Sequence, residues 1–564
     1  MDIKEQLQTA IQAAAEAAAK EGIFAAGDLP PVNLEEPPQK EFGDYATNFA
    51  MQAARAVKSN PRTIAQAIID RLQAPWLEKA ELAGPGFINF YLKPDWLYGM
   101  MISILAAGEN YGASTAGGGE RVQIEFVSAN PTGLLHVGHG RGAAVGSALA
   151  NLFRVAGYDV QTEFYINDAG NQIDNLAVSV DARYRELFGQ AVVFPEDGYH
   201  GRDIIDTAQR IINSEGDRYL ALTEEERRAA FKEIALQEKL EILKSDLEAF
   251  GVTFDHWFSE RQLHRDHAID ETCHQLQSSG DIYEKDGALW LKSTAYGDDK
   301  DRVVVRDNGV PTYLAADIAY HRDKFRRGFE RVINIWGADH HGYINRVKAA
   351  IAAMGYEPER LEVLILQMVS LYQKGELVKM SKRTGQGVSL GELMEEVGRD
   401  AARFFFIMRS IDSQLDFDLD LAKSHSNDNP VYYIQYAHAR ISSIFRQAAE
   451  AGITVADYQT LAREKDKDLM EALQSLQEEA EVDLIKKIGQ FPEEVAMAAR
   501  ERAPHRVARY VHDLAGLFHT FYNQCRIIGT SAATQTARLA LVTAVQTTIR
   551  QALAILGVAA PEKM

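Results

Sequence analysis

Only two of the 564 residues are cysteine, Cys273 and Cys525. Two thiols so far apart make neither a disulfide framework nor a four-cysteine zinc site. His264, His267 and His274 accompany Cys273, but no tight ligand set closes around them, so no tightly bound protein metal is expected. Long apolar runs are also wanting: none reads as long enough to cross a bilayer, and the opening Met1-Asp2-Ile3-Lys4-Glu5-Gln6 lacks the pattern of a signal peptide. The expectation is a cytoplasmic, monomeric protein that does not use a membrane. Positive charge is in short supply, with 60 Lys and Arg against 80 Asp and Glu and a net charge of −20. That balance argues against nonspecific nucleic-acid binding by the whole surface. A nucleic-acid ligand would need a local basic groove, and its binding would fall steeply with salt. Internal repeats and low-complexity tails are absent.

What is present is a globular composition, 46% hydrophobic and 25% charged. The chain is too long for one ordinary core and predicts two to four domains. Its most informative stretch begins as an apolar strand at Ile124-Glu125-Phe126. It continues Ala129-Asn130-Pro131-Thr132-Gly133-Leu134-Leu135-His136-Val137-Gly138-His139-Gly140. Val145, Leu149, Leu152 and Phe153 follow at the spacing of a buried helix face. A strand feeding a glycine-bearing helix N-terminus offers free backbone N–H groups and the positive end of the helix dipole to an anion. On this reading Gly138 and Gly140 let a nucleotide approach the backbone, and His136 and His139 add donors for phosphate.

Far downstream, Val378-Lys379-Met380-Ser381-Lys382-Arg383-Thr384-Gly385 sets two lysines around a small hydroxyl residue in a glycine-bearing loop. Together the two stretches resemble the two signature sequences of class I aminoacyl-tRNA synthetases, and Ala129 to His139 resembles the first signature as arginyl-tRNA synthetases carry it. The likeness continues through Tyr165-Ile166-Asn167-Asp168-Ala169-Gly170-Asn171-Gln172, Tyr313 with Asp317, and Trp336 to Gly342. It covers nearly the whole chain.

Three domains are expected. Residues 1–112 read as a small α/β domain. It opens with a helix ended near Gly22, and Asp44 reads as the N-cap of a helix running to Val57. The strand Phe87 to Leu92 puts Ile88, Phe90 and Leu92 on one face and Phe87, Asn89 and Tyr91 on the other. The second face suits stacking and hydrogen-bonding a splayed base, with an ordinary half-exposed strand as the alternative. The region resembles the additional N-terminal domain of arginyl-tRNA synthetases, which implies contact with the tRNA elbow through Phe87 and Asn89. Residues 113–420 read as a Rossmann-type, doubly wound α/β domain, with a strongly helical insertion at about 194–280. A hairpin is expected on Asp286-Gly287. Residues 421–564 are helix-periodic throughout and resemble the family's helical anticodon-binding domain, which makes Tyr432, Tyr436 and Arg440 candidate tRNA contacts. Helix-bundle core is the alternative for the tyrosines.

The resemblance implies ATP-dependent ligation of L-arginine to tRNA(Arg) through an arginyl-adenylate, next to the 2′-OH of the terminal adenosine. ATP would enter with Mg²⁺. The attacking carboxylate is already an anion, so catalysis is positioning and charge stabilisation. His136 and His139 would serve the α-phosphate, and Lys379 and Lys382 the β,γ-phosphates. A guanidinium is best held by carboxylates. Glu125, Asn130, His139, Tyr313, Asp317 and Asp339 are the arginine-pocket candidates. Glutamyl specificity would call for a cationic pocket, and a cysteinyl enzyme for a zinc site that two distant cysteines cannot make. A nucleotidylyltransferase shares the two-histidine signature but leaves both terminal domains unexplained. A non-enzymatic descendant is the remaining alternative, opposed by the intact histidines and lysines.

Overall fold

The computed structural model describes residues 3–25, 27–379 and 387–564; Met380, Ser381 and Lys382 lie outside them. The chain forms two compact units. One comprises Met1–Gly108, Ala456–Gly489 and Gln524–Ala544, the other Glu109–Val455, Gln490–Asn523 and Val545–Met564.

In the first unit, helix Ile3–Lys20 buries Ile3, Leu7 and Ile11. A three-stranded antiparallel sheet has Phe87–Leu92 in the middle, between Tyr45–Thr47 and Leu77–Ala83. Ile88, Phe90 and Leu92 enter the core, as the period of two requires. Asp44 is not a helix cap. It accepts the Leu92 N–H at 2.7 Å and pairs with Lys486 at 2.5 Å, and Asn48 precedes a shorter helix, Phe49–Ala53. A carboxylate that closes a sheet edge is not free to cap. The later helices Tyr458–Glu464 and Glu479–Gly489 pack on helix Asp95–Ala107.

The second unit is built on a five-stranded parallel sheet: β1 (Arg121–Glu125), β2 (Asp159–Ile166), β3 (His256–Ser259), β4 (Arg331–Gly337) and β5 (Leu361–Leu366). The order across the sheet is β5-β4-β1-β2-β3, the doubly wound arrangement. The strand order reverses between β1 and β4, which run parallel, and the crevice beyond their carboxyl ends is where such sheets bind ligands. Val122, Ile124, Val332 and Ile333 are fully buried, as apolar strands covered on both faces should be.

The stretch 194–280 is not helical throughout. Helices Arg202–Glu215 and Glu224–Ala249 fill most of it, the latter opened by the capping box of Thr223 and Glu226. But β3 lies inside the stretch and completes the sheet beside β2. The hairpin Ile282–Lys285/Ala288–Leu291 turns on Asp286 and Gly287, both at positive φ (53° and 75°). One expectation about apolar runs is overturned. Helix Ala532–Leu556 is long and apolar enough to cross a membrane, with mean hydropathy 1.5 over its best window. Threonines and glutamines interrupt the run and hide it in the sequence. In the fold 72% of that window is buried, the state of a core helix.

Candidate active site

β1 ends at Glu125 and the chain then turns sharply. Ser128 donates its N–H to the Phe126 carbonyl at 3.0 Å across Val127, whose φ is +69°. A three-residue turn of this hand is strained, the more so on a β-branched residue. It carries Ser128 Oγ to 2.9 Å from Glu125 Oε1, and the same oxygen accepts the Tyr165 N–H of β2. The strained turn thus ties the ends of two neighbouring strands to one carboxylate.

Eight residues on, helix α1 (Val137–Val155) begins with His136 as its N-cap. His136 Nδ1 accepts the N–H groups of Gly138 (3.1 Å) and His139 (3.4 Å), and His139 Nδ1 accepts the His136 N–H (3.3 Å). The rings stack at 3.7 Å. Because both Nδ1 atoms accept, the proton of each neutral ring sits on Nε2. Burial holds both imidazoles below their ordinary pKa, His139 down to about 3 with the neighbouring His136 adding to the effect. The pair is therefore a fixed set of two neutral N–H donors at a helix N-terminus.

The glycines between and after them have different uses. A Cβ on Gly138 would come within 2.9 Å of the His136 ring, so this glycine makes room for the cap. A Cβ on Gly140 would meet Leu390 at 2.7 Å and Phe406 at 3.1 Å. Gly140 is buried against core, which corrects the expectation that its bare backbone faces a nucleotide. Pro131, Leu135 and Ala129 are buried as well, whereas Asn130 and Leu134 are exposed; His136 keeps an exposed edge although its ring is enclosed against His139, and Thr132, Gly133 and Val137 are intermediate.

Lys379 is exposed and follows the short strand Glu376–Val378. Past residue 386 the chain returns to the histidine turn. Leu390 donates its N–H to Leu135 O at 2.7 Å, and Val137 donates to Val388 O at 3.3 Å. Arg141, fully buried one turn into α1, donates to the carbonyls of Gln367, Ser410 and Ser413 at 2.8–2.9 Å. The chain just beyond the second signature is thus fastened to the histidine turn by backbone.

A cluster of acidic side chains gathers at the carboxyl end of β1. Helix α2 (Tyr313–Arg326) places Asp317 half-buried, with Tyr343 Oη donating to its Oδ2 at 2.6 Å. Burial pushes the Asp317 carboxyl up to about 7; the Tyr343 bond resists, Glu125 and Glu260 push it further, and Lys324 pulls it back. Burial likewise raises Glu260, against a hydrogen bond from Tyr165. Glu125 is nearly buried and receives Lys324 Nζ at 2.5 Å. Tyr320 Oη bridges to Glu163 (2.6 Å) and Glu125 (3.1 Å). Burial would raise Glu163, but His256, Arg327 and Lys324 outweigh it and hold Glu163 at about 2. Two carboxyls, Asp317 and Glu260, are thus held above their ordinary values.

Glu260, Tyr343, Tyr320, Lys324, Glu163 and Asn334 were not singled out from sequence. Asn334 carries the one available signal, an amide inside the apolar run Val332-Ile333-Asn334-Ile335. Among the predicted pocket residues, Tyr313 is 62% exposed at the start of α2, and Asp339 is exposed and paired with its neighbour His340 at 3.1 Å. His264 and His267 face acidic partners on their own helices, Cys273 is buried, and His274 is exposed.

Elsewhere in this unit Tyr436 and Arg440 line a cavity of about 320 Å³ with Tyr433, His519, Asn427 and Asn523. Arg440 lies over the Tyr436 ring at 4.5 Å and donates to its hydroxyl at 2.9 Å. Tyr432 stacks on Tyr436 at 6.0 Å but lines a different cavity, of about 650 Å³, with Arg399, Lys423 and His425. In the first unit Phe87 is half-buried and Asn89 buried, its amide without a hydrogen-bond partner among the described residues.

Comparison with known proteins gives the same picture at every level. Residues 2–92 match the arginyl tRNA synthetase N terminal domain, residues 100–410 the catalytic domain of tRNA synthetases class I (R), and residues 434–564 the DALR anticodon binding domain. The arginine–tRNA ligase of Carboxydothermus hydrogenoformans is 55% identical over 549 residues, 97% of either chain. That of Heliobacterium modesticaldum is 53% identical over 563 residues, covering 100% of this chain and 99% of its own. The solved Thermus thermophilus arginyl-tRNA synthetase, 24% identical, shares the fold with a TM-score of 0.73 over 99% of this chain and 100% of its own. With a doubly wound sheet, a histidine-capped helix at its switch point and these matches end to end, the chain belongs to the arginyl-tRNA synthetase family of class I.

Proposed function

We propose that the protein ligates L-arginine to tRNA(Arg) at the expense of ATP, through an arginyl-adenylate. The observation that carries the reading is the acidic cluster of Asp317, Glu260 and Glu125 at the carboxyl end of β1, the strand that leads into the histidine turn. In this scheme the arginine carboxylate attacks the α-phosphorus of ATP, the new P–O bond forms as the bond to pyrophosphate breaks, and the terminal adenosine hydroxyl of tRNA then displaces AMP. His136 and His139 offer Nε2–H to the α-phosphate oxygens, where negative charge builds up. Lys379 serves the outer phosphates, and Lys382 joins it in the proposal although it lies outside the described residues. Asp317, with Glu125 and Glu260 around it, takes the guanidinium, whose planar donors suit carboxylates. Asn130, Tyr313 and Asp339 complete the proposed arginine-binding set. Mg²⁺ enters with the nucleotide. Among the described residues no group of three His, Cys, Asp or Glu side chains gathers to hold it, and no step is assigned to it.

The proposal divides the chain into a tRNA-elbow section (1–112), a catalytic section (113–420) and an anticodon-binding section (421–564), acting as a cytoplasmic monomer away from membranes. The test is charging of total tRNA with each of the twenty amino acids separately. Arginine alone should be esterified, and charging with another amino acid instead would overturn the reading.

For tRNA, Phe87 supplies a stacking ring and Asn89 an unpartnered amide about 7 Å further along the same strand face. Phe87→Ala is expected to cost about 1–3 kcal/mol of tRNA binding, the worth of one stacked base. Asn89→Ala should mainly erode discrimination at one nucleotide, since Asn pairs in bidentate fashion with adenine. Charging of tRNA(Arg) and its D-loop variants, with thermal melts to verify folding, measures both. Parental behaviour of a folded Phe87→Ala variant would leave this strand as core only. Tyr436 and Arg440 combine a stacking face with a cation and are proposed as anticodon-loop contacts, with Tyr432 beside them.

A further inference from the structure

One fully buried cation in the second unit has no part in the scheme above. Lys324 is 0% exposed, on the inner face of α2. Its ammonium donates to Glu125 Oε2 at 2.5 Å and to Asn334 Oδ1 at 3.0 Å, and it lies 4.3 Å from the centre of the Tyr320 ring. Asn334 on β4 is the register partner of Glu125 on β1, so the lysine spans the point where the strand order reverses. The chain of bonds continues. Asn334 Nδ2 is 2.9 Å from His321 Nε2, and His321 Nδ1 is 2.8 Å from the Asp317 carbonyl oxygen. A carbonyl only accepts, so His321 donates from Nδ1 and accepts the Asn334 amide at Nε2. Burial and the charge of Lys324 hold this imidazole neutral, down to about 3. An unbroken line of four side chains thus runs from one arginine-pocket carboxylate to the backbone of the other.

A lysine placed so deep is costly unless paired and hydrogen-bonded. Here it meets a carboxylate, an amide oxygen and an aromatic face, and touches no group assigned to ATP. We propose that Lys324 is a positioning residue for arginine binding: its ammonium fixes the Glu125 carboxylate at the end of β1 and sets a positive charge among the acidic groups of the pocket. The inference rests on the arginine reading of the pocket. The groups acting on Asp317 come from every side: Glu125 on β1, Tyr165 on β2, Glu260 on the helix after β3, Tyr343 beyond β4, and Lys324 on α2 itself. Of these charged neighbours only Lys324 favours the ionised form. Without it two acidic groups face Asp317 with no cation to offset them, and Asp317 keeps its proton to higher pH.

The test is the arginine KM in tRNA charging from pH 6 to 9, at saturating ATP and tRNA, for the parent, Lys324→Met and Lys324→Arg, each checked by thermal melt. In Lys324→Met the rise of KM on acidification should begin about one pH unit higher than in the parent. At pH 7 its KM should be up about tenfold, with kcat within about threefold. Lys324→Arg restores the charge and should bring the inflection back towards the parent's. A folded Lys324→Met whose inflection does not move overturns the inference, since a merely structural lysine would change melting and kcat alone. If the single variant does not fold, the double variant Glu125→Gln/Lys324→Met leaves no buried charge alone. It should show KM raised at every pH with the inflection unmoved. An unraised KM there overturns the inference, because Glu125 would then do nothing that needs holding. A parent that charges no tRNA with arginine would instead sink the proposed function itself.

Discussion

Asp317→Asn is expected to raise the arginine KM by about 30- to 700-fold, equivalent to about 2–4 kcal/mol, the usual result of removing one partner of an enclosed charge pair. Shape and the Tyr343 contact are kept; only the charge goes. A second effect identifies the cause. Burial pushes the Asp317 carboxyl up to about 7. A guanidinium stays charged throughout and binds the ionised carboxylate, so it must displace a proton whenever the pH lies below that value. The parent's arginine KM should therefore be flat above pH 7 and climb about tenfold per unit below it. In Asp317→Asn that slope should vanish while the KM stays high everywhere, and lysine should gain nothing as a substrate. Charging assays across pH 5.5–9 read both effects. A variant with the parent's KM, or one that keeps the slope, would mean that another group reads the cation.

At His136 two functions share one ring and can be separated. The Nδ1 atom caps α1 and the Nε2–H is free for phosphate. His136→Ala loses both, so adenylate formation should slow by about 10²–10³, the loss of one charge-stabilising donor. Stability should fall by about 0.5–2 kcal/mol, the worth of an N-cap. His136→Asn returns an oxygen that caps well, so the stability should recover while the rate does not. Single-turnover adenylation with tRNA present, alongside urea melts, separates the two. Parental rates in His136→Asn would reduce the residue to a helix cap.

The parts of this molecule that could be read from sequence are those whose signal is local. His136 and His139 sit within one turn of helix, and the strand, the turn and the helix that position them are consecutive. Ile88, Phe90 and Leu92 alternate into their core as any half-buried strand does. What escaped reading depends on partners distant in sequence. His256–Ser259 has four residues and follows a charged helix; only pairing with Tyr165 and its neighbours makes it a strand. Asp44 has the composition of a cap, yet Leu92 and Lys486 claim its oxygens. Lys324 stands in Arg322-Asp323-Lys324-Phe325-Arg326, a sequence that reads as a solvated face, and α2 turns this one cation inward. Gly140 looked open because a neighbour 250 residues later, Leu390, cannot be seen to fill its missing side chain.

The discontinuous make-up of the first unit sets a schedule for synthesis. Its sheet and opening helix draw their core from residues 3–96 and can close early. Helix Asp95–Ala107 cannot: it packs on Tyr458–Glu464, and Arg463 donates to the Ala106 carbonyl from 357 residues further on. At roughly 5–20 residues per second a ribosome needs about 20–70 s to deliver that partner. For that interval the nascent chain presents part of the helix bearing Leu97, Met101, Ile104 and Leu105 without its final cover. The wait ends once Tyr458–Glu464 has left the exit tunnel, so the cover of this helix is set by the growth of the chain and not by any local signal.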